Sequence, residues 1–235
     1  MKNIFSVLCL SLYSLVAAAN TNYIPPQAFL YKDIIKNELD TYFPYIPEYN
    51  YLPSLAEHES CISLKHKRCW NPSSALRSSR EVGIGLFQVT KTFREDGSVR
   101  FDTLTEMASK YKQELKDAKW ETIHTRPDIQ IRMAILQLRD LYKSLYDVEN
   151  ALERLKMVDA AYNGGLAGLQ RERRACAMAK NCSSDIWYNN VERYCLKSKK
   201  PLYGNRSACD INRYHVKDVF ENKLPKYKRL YFVER

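Results

Sequence analysis

Apolar residues recur most regularly after Pro127, where Ile131, Ile135, Leu138, Tyr142 and Leu145 follow one another at three- and four-residue steps, with Ala134 and Leu141 beside them. That period predicts a helix opened by Pro127, and its apolar density marks it as the central buried one. A following helix, Asp147 to about Ala161, is expected to stop at Tyr162-Asn163-Gly164-Gly165, where glycine allows the chain to leave the helical region. Further helical segments are expected near Leu166–Ala179, Asp185–Leu196 and Ala208–Asn222.

Upstream, a helix over Phe29–Tyr42 is bracketed by Pro25 and Pro26 on one side and by Pro44 and Pro47 on the other. The next runs from about Pro53 through His58 and Glu59. From Cys69 to Val99 the pattern turns to loop and short strand, with Asn71-Pro72-Ser73-Ser74 and Asp96-Gly97 as turn signals. Thr103-Leu104-Thr105-Glu106 has the form of a capping box and opens a helix toward Leu115. The chain is therefore expected to be α+β, mainly α, with one small irregular or β region.

The first segment does not fit this pattern. Lys2 precedes a short apolar run from Ile4 to Val16, and Ala17-Ala18-Ala19 supplies small residues before Asn20, the form of a cleaved export signal over residues 1–19. The apolar run is too short for a membrane span, so a soluble, exported mature chain of about 216 residues is expected, without stable membrane insertion after cleavage. Cys9 leaves with the signal, and Cys61, Cys69, Cys176, Cys182, Cys195 and Cys209 remain. An even number in an exported chain implies disulfides. Cys61–Cys69 is the first expected pair, tying off the segment after Glu59, and the last four are expected to pair among themselves.

Losing Lys2 takes the formal charge from +10 to +9. Such a balance suits an anionic partner, and export makes a cell wall or envelope surface a better match than nucleic acid. Residues 20–50 form a Tyr- and Pro-rich arm with one helix, read as packing around the core, with tyrosines available to a sugar-binding wall as the alternative. Residues 171–235 hold four cysteines and many basic residues, read either as a stapled helical extension touching an anionic surface or as a solvated basic face. Asn205-Arg206-Ser207 fits a glycosylation acceptor.

Several chemistries are disfavoured. His58-Glu59 begins like a helical zinc motif, but Ile62 stands where the second histidine belongs. The four histidines lack ligand spacing and no C-x-x-C pair occurs, so neither metal nor other cofactor is expected. No G-x-S-x-G elbow or phosphate-cradling loop is present. Pairing would also remove all six mature cysteines as nucleophiles.

What remains is a carboxylate among clustered glycines. Of seven glycines, Gly83, Gly85, Gly164 and Gly165 fall in or beside two short motifs, where positive φ or a close approach is expected. Glu59-Ser60, Trp70-Asn71-Pro72, Gly85-Leu86-Phe87-Gln88-Val89 and Ala161-Tyr162-Asn163-Gly164-Gly165 follow one another in that order along the chain. This series resembles the lytic transglycosylases of the soluble-lytic-transglycosylase (Slt-type) and goose-type lysozyme superfamily. The resemblance covers roughly Leu52 to Leu169. It departs from the family pattern in the insertion from Cys61 to Cys69, in Phe87 for the usual Met, and in extra residues including Arg80-Glu81.

The resemblance implies a lysozyme-like catalytic domain over 51–170, followed by a disulfide-stapled helical C-terminal extension over 171–235. It implies that Glu59 is the acid/base, that Ser60 orients the substrate or the Glu59 carboxylate, that Gln88 lines the cleft, and that Tyr162 and Asn163 hydrogen-bond near the reacting sugar. The implied substrate is the glycan strand of peptidoglycan, cut outside the cell or in a periplasm. One glutamate would protonate the β-1,4 oxygen between N-acetylmuramic acid and N-acetylglucosamine, then take the C6 hydroxyl proton as a 1,6-anhydro product forms. A hydrolase of the same bond would resemble goose-type lysozyme. In the inverting case it would need a second carboxylate about 6.5–9.5 Å from the acid, for which Glu81, Asp96 and Asp102 are candidates. A non-catalytic wall-binding protein is the remaining reading.

Overall fold

The central helix forms where its apolar period places it, and the other elements arrange around it. The computed structural model describes residues 23–232. The expected export signal, with Lys2 and Cys9, lies outside the described residues. In chain order the helices and strands are α1 (Pro26–Phe29), α2 (Lys32–Tyr42), α3 (Tyr51–Ser60), β1 (Ala75–Arg77), β2 (Glu81–Ile84), β3 (Val89–Phe93), β4 (Val99–Asp102) and α4 (Thr103–Lys110). Then come α5 (Pro127–Ser144), α6 (Ala151–Gly164), α7 (Leu166–Ala177), β5 (Pro201–Tyr203), β6 (Arg206–Ser207), α8 (Ala208–Lys217) and α9 (Leu224–Leu230). A π-helical turn, Asp218–Lys223, carries α8 into α9. The fold is mixed α+β and mainly helical, as the pattern predicts.

Helix α5 is buried on more than one side, so two apolar clusters meet across it. Ile131, Ala134, Ile135 and Leu138 join a large core with residues of α2, α3, α6, α8 and α9. Ile129, Met133 and Leu136 instead pack with Ile84, Val89, Leu104 and Met107, beneath the small sheet. That sheet is an antiparallel meander in the order β1-β2-β3-β4, with Gly83 opposite Thr90 and Ala75 opposite Ile84. The line where the two clusters separate is where a cleft opens.

The arm packs through Ile24, Ala28, Ile35, Leu39, Phe43 and Ile46, all in the large core. Its helix is broken at Leu30–Tyr31 into α1 and α2. Tyr31 stacks on Trp70 with ring centroids 6.0 Å apart. The C-terminal segment belongs to the same core: Trp187, Val191, Val216, Val219, Tyr227 and Tyr231 are all buried in it. Behind α3, the buried Glu57 takes hydrogen bonds from Lys226 Nζ at 2.7 Å and Tyr227 OH at 2.8 Å.

Among the described residues three disulfides are present, Cys61–Cys69, Cys176–Cys182 and Cys195–Cys209. The first is the expected pair, and the last four cysteines do pair among themselves. Among the described residues no helix is long and apolar enough to cross a membrane.

Some boundaries differ from the sequence reading. Asp102, not Thr103, caps α4, accepting from the Thr105 amide. The helix ends at Lys110, well short of Leu115. The segment expected as a helix over Asp185–Leu196 holds only turns and a 3-10 turn at Val191–Arg193. Its backbone is tied elsewhere, the Trp187 amide to Glu153 Oε2 at 2.7 Å, and Asn189 takes a left-handed conformation. Tertiary partners there outcompete the helical ladder.

Candidate active site

Glu59 stands one residue before the end of α3, with its side chain 16% exposed. It borders a cavity of about 520 Å³ walled by four parts of the chain. The sheet contributes Leu76, Glu81, Gly83, Val89, Thr90, Thr92 and Phe101. Helix α5 adds Gln130, Met133, Ala134 and Gln137, and α6 adds Tyr162 and Asn163. Lys197, Leu202 and Ile211 close the remaining side from the C-terminal segment. A second cavity of about 260 Å³ lies on the other side, against Cys61, Ile62, Arg68 and Ser74. Both cavities share Glu59, Leu76 and Gln88, so the carboxylate sits between two adjoining hollows. Exposed Leu76, Phe101 and Leu202 put apolar surface on the larger one.

The motif residues build this floor. Gly85 has φ +85°, and a Cβ there would overlap the Gln130 side chain, so only glycine fits. Gln130, fully buried, accepts the Leu86 amide on Oε1 at 2.8 Å. Its Nε2 donates to Pro72 O at 3.0 Å and Ile123 O at 2.6 Å. One glutamine of α5 thus joins the Gly-Leu-Phe-Gln turn to the Trp-Asn-Pro stretch. Gln88 has a left-handed backbone, φ +47°, an uncommon conformation for a non-glycine residue. Its Nε2 donates to Gly85 O at 2.9 Å, bracing the turn beside Glu59. Phe87 is buried, so it fills an apolar core position.

Tyr162 donates its hydroxyl to Phe87 O at 2.9 Å, linking α6 to the same turn. Burial, with Glu59 and Asp159 nearby, pushes its phenol well above the ordinary range, so it stays a neutral donor. Asn163 faces the larger cavity while its Oδ1 accepts from Asn212 Nδ2 of α8 at 3.0 Å. Ser60 is directed elsewhere: its buried Oγ donates to Ala56 O at 2.7 Å and accepts the Trp70 amide at 3.2 Å. Glu59, Gln88, Tyr162 and Asn163 therefore share one cavity, and Ser60 borders only the smaller one.

The surroundings of Glu59 are more polar than the Leu52, Leu55 and Ala56 flank suggests. His215 Nε2 lies 2.8 Å from Glu59 Oε1, and His215 Nδ1 lies 2.7 Å from Asp159 Oδ2. Tyr51 OH donates to the other Asp159 oxygen at 2.8 Å. Glu59 Oε2 has no hydrogen-bond partner among the described residues, which leaves that oxygen for a ligand.

Of the three candidate second carboxylates, only Glu81 lines the cavity. Asp102 caps α4, pairs with Lys91 and accepts from Trp120 Nε1. Asp96 is exposed in the β3–β4 turn, holding Ser98. None of the arm's tyrosines borders either cavity containing Glu59.

Sequence reasoning missed Gln130, Asp159, His215 and Lys197. Gln130 and Asp159 each left a trace, as a polar residue interrupting an apolar helix face. His215 left none, since 156 residues separate it from Glu59. No protein-family model matches the chain, and no curated protein sequence matches it.

Proposed function

We propose that this protein is an exported, lysozyme-like lytic transglycosylase that cuts peptidoglycan glycan strands with Glu59 as its single acid and base. The observation that carries the reading is the position of Glu59, which lines both adjoining hollows while its Oε2 has no hydrogen-bond partner among the described residues. A polymer can then lie on both sides of the reacting oxygen. The residues of the motif series shape that place, and the positive charge of the chain suits a wall bearing carboxylates and phosphates.

In this reading Glu59 carries its proton on Oε2 and delivers it to the glycosidic oxygen as the bond to C1 breaks. The C6 hydroxyl of the same sugar then closes on C1, and its proton returns to Oε2. One bond breaks, one forms, and no water is consumed. The Glu59 carboxyl ends as it began. Tyr162, Gln88 and the Gln130-held turn keep the floor rigid so that the sugar meets Oε2 at bonding distance.

A hydrolytic outcome is the second reading, favoured by Glu81 on the same cavity. Mass spectrometry of fragments released from purified peptidoglycan separates the two. Anhydro products that vanish in Glu59→Gln support the transglycosylase, and products one water heavier support the hydrolase. No release by either protein would replace both with a wall-binding role.

A further inference from the structure

The His215 imidazole is joined to Glu59 on one side and to a fully buried carboxylate on the other. We propose that His215 is a positioning residue for Glu59: its Nε2–H holds Oε1, so that Oε2 alone carries the reacting proton, while Asp159 fixes the ring from behind. The proposal rests on the reading of Glu59 as the acid and base.

The geometry leaves the ring little choice. His215 is 1% exposed, and each of its nitrogens faces a carboxylate oxygen, Glu59 Oε1 at 2.8 Å and Asp159 Oδ2 at 2.7 Å. Donating to both oxygens at once requires N–H on each ring nitrogen, that is, the doubly protonated imidazolium, and Glu59 Oε1 can accept such a bond while Oε2 carries the proton. Burial by itself disfavours that charge, but Asp159 and Glu59 outweigh it and push the histidine up to about 10. Asp159 is fully buried, and its second oxygen is taken by Tyr51 OH.

The other polar groups around the ring come from α3, α6, α8 and the π-helical turn. His58, also on α3, lies edge-on at 4.2 Å between ring centroids. Its Nδ1 meets Asp218 Oδ2 at 2.7 Å, and Lys223 pairs with the same carboxylate. Tyr162 lies near both Glu59 and Asp159 from α6, and Tyr214 packs on His58 from α8. Asp159 and Glu59 are the acidic groups bonded directly to the His215 ring.

This arrangement would act at both proton transfers. With Oε1 held, the carboxyl cannot turn, and Oε2 stays aimed at the cleft. As Oε2 gives its proton to the leaving oxygen, the imidazolium beside it stabilises the new carboxylate. The proton of the C6 hydroxyl then returns to Oε2. His215 neither gains nor loses a proton over the cycle, which suits a group clamped between two carboxylates.

The test is His215→Gln, which retains an amide donor and removes the charge, assayed on purified peptidoglycan beside wild type. A fall in kcat of about 100-fold, the scale of a misplaced reacting group, is expected with KM little changed. The high-pH limb of activity is expected to move to higher pH, because the positive charge that favours the carboxylate is gone. A purely structural role would leave that limb in place, and a folded variant with wild-type kcat and pH profile overturns the proposal.

If the variant does not fold, nitrogen NMR of the imidazole decides. Two ring N–H groups at neutral pH in wild type, with the Nε2–H signal displaced in Glu59→Gln, support the clamp. A singly protonated ring indifferent to Glu59→Gln overturns it. Should wild type release no fragments although the NMR shows the clamp, the transglycosylase reading fails, and the catalytic role of His215 falls with it.

Discussion

Gln130 Oε1 accepts the Leu86 amide at 2.8 Å, and through that bond helix α5 sets the position of the turn beside Glu59. The same side chain also satisfies the carbonyls of Pro72 and Ile123. Gln130→Ala would leave the Leu86 amide and the Pro72 carbonyl without a partner, while Ile123 O keeps the Arg126 amide. At about 1–3 kcal/mol for each buried group left unpaired, a loss of about 3 kcal/mol is expected, or roughly 10 °C in Tm for a chain of this size. Gln137→Ala, on the same helix and half-buried, is the control and should melt near wild type. Equal Tm values for the two variants would sink this account.

Glu59 and Glu81 should separate by substitution. Glu59→Gln removes the proton donor and should cut fragment release by about 100-fold or more. Glu81→Gln should change the rate less than about threefold and leave anhydro products in place if the reaction is a transglycosylation. A loss in Glu81→Gln as deep as in Glu59→Gln would instead assign Glu81 to activating water.

Ser60→Ala tests whether that hydroxyl serves the fold or the substrate. It gives up its bond to Ala56 O and leaves the buried Trp70 amide unpaired, at a cost of about 1–3 kcal/mol in denaturant unfolding. With the hydroxyl engaged on both sides, KM for glycan fragments should stay constant. A raised KM at unchanged stability would restore a substrate contact to Ser60.

The clamp on His215 has a consequence for stability against pH. The folded protein holds the proton up to about 10, whereas an unfolded histidine releases it near about 6.5. Between those values the native state binds more protons than the unfolded state, so stability falls as pH rises. The contribution is complete below about 6.5 and lost through about 10. Urea unfolding of wild type at pH 6 and pH 9 should show the decline, and His215→Gln should flatten it. Asp218 acts in the opposite direction: burial opposes its ionisation, but His58 and Lys223 hold its carboxyl well below the usual range. Its contribution is present at neutral pH and disappears only in acid. A slope between pH 6 and 9 identical in both proteins would contradict the assignment of the proton to His215.

Local chemistry determined much of this protein. The three-and-four spacing of α5, the glycine stop after Asn163, the even set of cysteines and the glycine required at position 85 all follow from period, propensity and backbone geometry within short stretches of chain. So does the clustering of Glu59, Gln88, Tyr162 and Asn163 as candidates, since each lies in a short motif. Tertiary structure decided how those residues are used. Ser60 turned to hold Trp70, Asp102 displaced Thr103 as a cap, and the stretch from Asp185 gave up its helix to bonds with distant groups. Above all, α8 brought His215 across 156 residues to Glu59. Hydrophobic period reports which face of an element is buried. It does not report which buried polar group will meet which, because that pairing depends on how separate elements dock and on the cost of leaving a charge or donor unmatched inside the core.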